Sequence, residues 1–237
     1  MPTTKNNWVV FEDESFLVLN KPAGIIVNLS QTTAGKLTVE DWLNDYGIKD
    51  IDRHGIVHRL DKDTSGLLVV GKSTEAMLTL QSQFKNRQVK KSYLALIHGQ
   101  LNQKEGTVNA PISRNPFNRQ RFGIFVGGRE ARTDYQLLEG YKSPDGEVLS
   151  LVKALPLTGR THQIRVHFKY LNHPLVADPW YGGRKTFKKD LAWCPRLFLH
   201  AASISFNHPV TGKPLNYEIN LPEDLQSVLN KLKKTDE

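Results

Sequence analysis

The sequence holds little of what staples or anchors a chain. Cys194 is the one cysteine among 237 residues, which excludes an intramolecular disulfide, and a lone thiol suits a reducing compartment. No stretch approaches the roughly 18 consecutive apolar residues that a membrane-spanning helix needs. The opening MPTTKNNWVV lacks the basic segment and apolar run of a secretory leader. Gly/Ser-rich linkers, low-complexity tracts and internal repeats are also missing. Secreted, disulfide-stapled and membrane-embedded classes drop out. The expectation is a cytoplasmic monomer without membrane contact, folded as a single domain over residues 1–237.

With 39% hydrophobic and 24% charged residues, there is enough apolar material for a core. A chain of this length buries roughly 70% or more of the surface its unfolded form exposes. Acidic residues are in the minority, 24 against 32 Lys and Arg, for a net charge of +8. That excess points to a polyanionic partner, nucleic acid ahead of a membrane surface, because bound cations displace counterions condensed on phosphate. A generically basic surface explains the balance equally well, so placement decides. SRNPFNRQRFG at 113–123 sets Arg114, Arg119 and Arg121 among Phe117 and Phe122, and GGRKTFKKD at 182–190 sets Arg184, Lys185, Lys188 and Lys189 around Phe187. Cations interleaved with aromatics and turn formers read as loops that grip phosphates and offer stacking faces to bases. The alternative is two solvated surface loops.

Periodicity outlines the elements. WVVF at 8–11 and FLVLN at 16–20, split by Glu12-Asp13-Glu14, predict a hairpin. Thr38 can cap a short helix through Trp42 and Leu43 that stops at Gly47, and Ser73 one that places Met77, Leu80 and Phe84 on one face. Between them, Gly66 opens the strand LLVVGK. SYLALIHG at 92–99, TDYQLLEGY at 133–141 and EVLSLVKALP at 147–156 read as strands. Residues 161–172, with Ile164, Phe168 and Leu171 on one stripe, read as a helix. LFLHAASISF and PLNYEINL flank the turn HPVTGK, and Asp224 to Lys234 predicts a closing amphipathic helix whose basic end opposes the macrodipole. The fold class is α+β around a largely antiparallel sheet.

Two polar segments resist explanation by packing. HRLDKDTSG at 58–66 gathers His58, Arg59, Asp61 and Asp63 into a turn directly before a buried strand; an Asx-type turn is its plainest reading. TGRTHQIRVH at 158–167 puts Arg160 and His162 at a helix start and Arg165 and His167 one turn on. A solvated basic face would do the same, yet this helix carries an apolar stripe, so its cations border the core. An aspartate in a turn needs a cation to stay ionised once substrate excludes water, and Arg165 is a candidate for that partner.

Rival chemistries find less support. Ser65 lies in DTSGL, outside the G-x-S-x-G elbow of a hydrolase. His162 and His167 are five apart, the wrong spacing for a two-ligand helix face, and Gly55 spoils a helix between His54 and His58. Cys194 has no second thiol, and no Walker or dinucleotide glycine pattern occurs. No metal or other cofactor is expected. A carboxylate-pair hydrolase stays a remote option, since Asp63 sits beside Asp61.

HRLDKDTSGLLVV resembles the signature of the RluA family of RNA pseudouridine synthases, and the resemblance extends over most of the chain. LVLNKPAGIIV at 17–27, KKSYLALIHG at 90–99, TGRTHQIRVH at 158–167, NHPLVADPWYGG at 172–183 and LHAASISFNHP at 199–209 resemble further family motifs in the family's order. PISR at 111–114 and DPWYGGR at 178–184 look most like the branch that modifies large-subunit ribosomal RNA. The resemblance implies a bent, mostly antiparallel mixed sheet with flanking helices and a central catalytic cleft. It also implies isomerisation of uridine in structured RNA, ribosomal RNA ahead of tRNA, by base flipping and without cofactor.

Residue by residue, Asp61 matches the catalytic aspartate, and Tyr93 the tyrosine that stacks on the target base and serves the proton transfer from C5. Arg165 matches the arginine paired with the aspartate, and Arg59 the one that fills the space of the flipped nucleotide. Lys21 shapes the cleft or binds phosphate, and His58 is a packed, hydrogen-bonded support at the substrate side. Arg160, Arg114, Arg121 and Arg184 are expected to bind substrate. Ala177 replaces the family's usual glycine and is expected to crowd a turn. The family's separate N-terminal RNA-binding domain is expected to be absent, which shifts substrate grip onto the basic loops. A non-catalytic RNA-binding assembly factor on the same fold is the rival reading. Joint retention of Asp61, Tyr93 and Arg165 argues against it.

Overall fold

Short apolar runs punctuated by Gly, Pro and acidic turns become strands, and the capped, 3.6-periodic segments become helices. The computed structural model describes residues 8–28, 35 and 37–235. In chain order they form β1 (Val9–Glu12), β2 (Phe16–Lys21), α1 (Val39–Tyr46), β3 (Ser65–Gly71), α2 (Thr74–Lys85), β4 (Lys90–His98), β5 (Glu105–Asn109), β6 (Ile112–Arg114) and β7 (Phe122–Ile124). There follow β8 (Arg132–Lys142), β9 (Val148–Pro156), α3 (Gln163–Tyr170), α4 (Arg184–Asp190), β10 (Leu199–Asn207), β11 (Pro214–Glu218), α5 (Glu223–Lys231) and β12 (Lys233–Lys234). The chain divides into two compact units, one of the described residues up to Lys90 with Ser203–Ile219, the other of Lys91–Ala202 with the described residues from Asn220. Strand β10 runs through the boundary.

In the first unit, β1, β2 and β3 form an antiparallel meander, with Leu19 opposite Leu68 and Lys21 opposite Gly66. β3 is buried along its whole length. Phe16, Val18, Leu67 and Val69 pack with Leu80 of α2 and with Ile204 and Phe206 of β10. Thr38 caps α1 with a full capping box, and Gly47 closes it in the left-handed conformation, as its sequence signals predict. Upstream of the HRLD segment the chain makes a single 3-10 turn, Asp52–Gly55, with Arg53 and His54 at positive φ. Gly55 is required there twice over: its φ is +75°, and a Cβ would lie 1.9 Å from the Gly71 carbonyl oxygen. Gly55→Ala is expected to cost about 2–3 kcal/mol of stability, read as a lowered denaturation midpoint.

The second unit is built on the antiparallel order β4-β9-β8, with β5 and β12 each pairing β8. Ile164 and Phe168 of α3 pack with Ala95 and Ile97 of β4. On the alternate register, Leu96 joins Leu225, Val228 and Leu229 of α5, as the period-2 side-chain alternation of a strand dictates. Cys194 is fully buried, its Sγ against the Arg196 carbonyl at 3.1 Å. Burial pushes its thiol up to about 12, so it acts as core filling.

Three expectations need correction. The 182–190 segment, read as a loop, forms helix α4, begun by Gly183 at positive φ. The closing helix ends at Lys231, not Lys234: Leu232 turns extended and buried, and Lys233 and Lys234 pair with Lys142 and Tyr141. Ala177 adopts φ +53°, the region glycine favours, so its departure from the family costs backbone strain rather than simple crowding.

His200 on β10 is fully buried. Burial first, and the nearby Arg196 guanidinium next, pull its imidazole down to about 4. The unfolded histidine takes up its proton near 6.5. Between these values the unfolded chain binds more protons, so stability falls as pH drops from about 6.5 toward 4, by on the order of 2–3 kcal/mol. Denaturation midpoints across that window check this, and His200→Gln should flatten the fall.

Candidate functional site

In the first unit, the two sequence motifs at the ends of β2 and β3 are tied together through one carbonyl. Lys21 is fully buried, and its Nζ donates to the carbonyls of Pro22 and Ile25 at 2.8 Å and of Lys62 at 3.2 Å. The Gly24 amide donates to the same Lys62 oxygen at 2.8 Å, and Thr64 N closes the turn onto Asp61 O at 3.2 Å. The half-buried Asp61 therefore projects from a turn whose following residue is clamped by a buried ammonium. Of the two roles expected for Lys21, shaping the cleft or binding phosphate, an ammonium enclosed by backbone carbonyls fits the first, since it positions the turn and is turned away from phosphate. His58 Nε2 accepts from Val69 N at 2.9 Å, and the ring stacks on Phe84 at 4.5 Å. Both contacts are those of a packed, hydrogen-bonded residue. Arg59 is exposed, and its guanidinium meets no protein acceptor among the described residues.

In the second unit, the loop into α3 is knotted by Gln163. Its Oε1 accepts from Thr158 Oγ1 at 2.6 Å and Arg160 N at 3.0 Å, and its Nε2 donates to Arg132 O and Thr133 Oγ1. His162 enters the helix at φ +57°, and Phe122 N donates to Tyr181 Oη, which lies 2.9 Å from His162 Nδ1. His167 is fully buried between Thr133 Oγ1 and the Ala110 carbonyl. Burial lowers its pKa, which keeps it a neutral structural residue.

Arg165 is the charged centre of this unit, 2% exposed. It forms a bidentate pair with the fully buried Asp178, Nε to Oδ2 at 2.8 Å and Nη2 to Oδ1 at 2.9 Å, which leaves Nη1 outside the pair. Its guanidinium lies over the Tyr181 ring, 5.2 Å from the centroid. Asp178 Oδ1 also accepts the Trp180 and Tyr181 amides at 2.8 and 3.0 Å. The D-P-W-Y turn thus folds around a carboxylate that fixes the arginine. Tyr93 is half-buried on β4, opposite Ala154 on β9 and packed against the Ala95 cluster.

The basic residues separate into two groups. Arg114, exposed, lies over Phe122 at 5.2 Å and donates to Arg119 O at 3.0 Å, and Arg160 Nε donates to Glu130 O at 2.9 Å. Both line a cavity of about 260 Å³ together with Arg129, Gly159 and Thr161. Arg121 and Arg184 are exposed elsewhere, and neither side chain has a protein partner among the described residues. Sequence reasoning passed over Asp178, Tyr181, Gln163 and Arg129. The first had a usable signal, since an arginine flanked by the apolar stripe of its own helix must meet a carboxylate. No group of three His, Cys, Asp or Glu side chains among the described residues could hold a metal ion, and no described helix is long and apolar enough to cross a membrane.

Comparison with known proteins places this geometry. Residues 15–170 match the family described as RNA pseudouridylate synthase. The chain is 39% identical over 231 residues to the RNA pseudouridine synthase YlyB of Bacillus subtilis, covering 95% of this chain and 73% of that one. It is 39% identical over 229 residues to ribosomal large subunit pseudouridine synthase D of Nitrosomonas europaea, at 95% and 65% coverage. The same-named protein of Pseudomonas aeruginosa is 38% identical over 237 residues, at 95% and 72%. The chain thus spans about two thirds to three quarters of these relatives. Among solved structures, human RNA pseudouridylate synthase domain containing 1 superposes with a TM-score of 0.77 at 28% identity, over 99% of this chain and 91% of that one.

Proposed function

The chain belongs to the RNA pseudouridylate synthase family, in its RluA branch, and as such an enzyme isomerises uridine to pseudouridine in RNA; we propose that its substrate is large-subunit ribosomal RNA and that Asp61, Tyr93 and Arg165 carry the reaction. The observation that carries the reading is the Asp61 turn, locked by Lys21 through the Lys62 carbonyl inside the matched stretch. The N1–C1′ bond breaks, the uracil turns, and C5 joins C1′ as the C5 proton leaves. No electrons are gained or lost.

The base has to leave its stack first, at a cost of a few kcal/mol that is smaller in a loop. Arg59, exposed and without a protein acceptor among the described residues, is suited to fill the vacated space. Asp61 acts at the sugar, either as nucleophile at C1′ or as base at C2′; both routes need the carboxylate ionised. Arg165, oriented by Asp178 and the Tyr181 ring, is assigned to keep it so. Tyr93 holds the detached ring by stacking, and its hydroxyl relays the final proton. Support for the ribosomal substrate comes from the similarity to the Nitrosomonas and Pseudomonas proteins, whose names state that target. We further propose that the two units serve as one catalytic domain, acting as a cytoplasmic monomer.

Tritium release from [5-³H]uridine-labelled large-subunit ribosomal RNA and from labelled tRNA tests the assignment. Release from the ribosomal RNA alone is expected; release from tRNA alone would overturn the substrate.

A further inference from the structure

The arginine-lined cavity in the second unit has the make-up of an anion site that the reaction chemistry leaves unused. Arg114, Arg129 and Arg160 line it, and no carboxylate is among its lining residues. The Arg114 guanidinium is already oriented by the Phe122 face and the Arg119 carbonyl. Arg160 is anchored through Nε on Glu130 O. Arg129 is exposed and has no hydrogen bond or ion pair from its side chain among the described residues. Guanidinium forks held in place before a ligand arrives match the paired oxygens of a phosphate.

A fourth cation links the cavity to the reacting end of the unit. Lys91 Nζ lies 4.0 Å from where a Cβ on Gly159, a lining residue, would stand. Lys91 is half-buried and has no acceptor among the described residues, and burial pulls its ammonium down to about 8. Two residues along β4, on the same face and roughly 7 Å away, stands Tyr93. A partly desolvated ammonium without a counter-charge is stabilised when an anion reaches it. The cations therefore run from the cavity toward the residue assigned to the target base.

We propose that the cavity of Arg114, Arg129 and Arg160 is a phosphodiester subsite that holds the RNA backbone beside the target uridine, with Lys91 joining it to the Tyr93 end. This rests on the synthase reading for the identity of the strand. It adds Arg129 and Lys91 as binding residues, and it places substrate grip in a built pocket of the catalytic chain.

The test is the salt dependence of affinity for a fluorescein-labelled RNA hairpin with uridine in its loop. It compares the parent chain with Arg114→Gln/Arg129→Gln, Arg129→Lys and, as a charge loss elsewhere, Lys213→Gln in the β10–β11 turn. The two arginines are exposed, and an unchanged thermal melt verifies the fold. The double variant is expected to bind roughly 10- to 100-fold more weakly. Its slope of log K against log salt should be shallower by about 0.7 for each phosphate that is no longer neutralised. Arg129→Lys should keep the parent's slope while binding more weakly than the parent, because a point charge replaces a fork. A parent-like slope in the double variant overturns the subsite, and so does an equal change in Lys213→Gln, which would make the effect diffuse. Tritium release by the parent is scored separately. Its absence would sink the synthase reading, whereas the slopes would still decide the pocket.

Discussion

Asp61→Asn is expected to lower pseudouridine formation by roughly 10²–10⁴-fold while RNA affinity stays close to that of the parent. The amide is the same size as the carboxylate, so the Asp61–Thr64 turn and the Lys21 clamp on Lys62 have no reason to move. What the amide lacks is the charge needed to attack C1′ or to take a proton from C2′. Affinity, by contrast, comes mainly from cations on phosphate, which the substitution leaves alone. Tritium release from labelled RNA gives the turnover, and filter binding gives the affinity. Loss of both together would mean that Asp61 shapes the RNA site instead of doing chemistry. A variant that keeps most of the parent's turnover would remove the carboxylate from the mechanism.

Asp178→Ala is expected to destabilise the protein by about 3–5 kcal/mol and to abolish turnover even where the chain remains folded. The arginine it pairs with is 2% exposed, so removing the carboxylate strands a charge away from water. The Trp180 and Tyr181 amides lose their acceptor at the same time. Asp178→Asn keeps an acceptor for those amides but not the counter-charge, and should fall between parent and alanine. Arg165→Met with Asp178→Leu removes both charges and should recover much of the stability with none of the activity. Denaturant midpoints order the four proteins. A parent-like midpoint for Asp178→Ala would show that the buried pair does not hold this part of the fold.

The local layer of the structure was legible where one short segment carries its own signals. Thr38 and Gly47 frame α1, Ser73 caps α2, and the apolar stripe Ile164–Phe168 faces the core of the second unit. Legibility failed where a segment's conformation depends on distant contacts. The basic run after Gly183 has no apolar periodicity to mark a helix, so α4 does not stand out. Lys233 and Lys234 leave the last helix because β8 offers them an edge to pair with. The candidate site divides in the same way. The motif residues Asp61, Tyr93 and Arg165 stood out through the resemblance. Lys21 did not show its role, because whether an ammonium meets phosphate or three backbone carbonyls is a matter of burial. Asp178 lies 13 residues beyond Arg165 on a separate turn, and Arg129 gains significance from Arg114 and Arg160 reaching the same cavity. Those juxtapositions exist only in the folded chain.

The most direct test of the central claim is nucleoside analysis of uridine-containing large-subunit ribosomal RNA after incubation with the parent chain and with Asp61→Asn. Isomerisation predicts a new nucleoside of unchanged mass and pseudouridine's retention time, formed by the parent and absent with the variant. RNA bound by the parent but returned with every uridine intact would contradict it and leave a binding protein on a synthase fold.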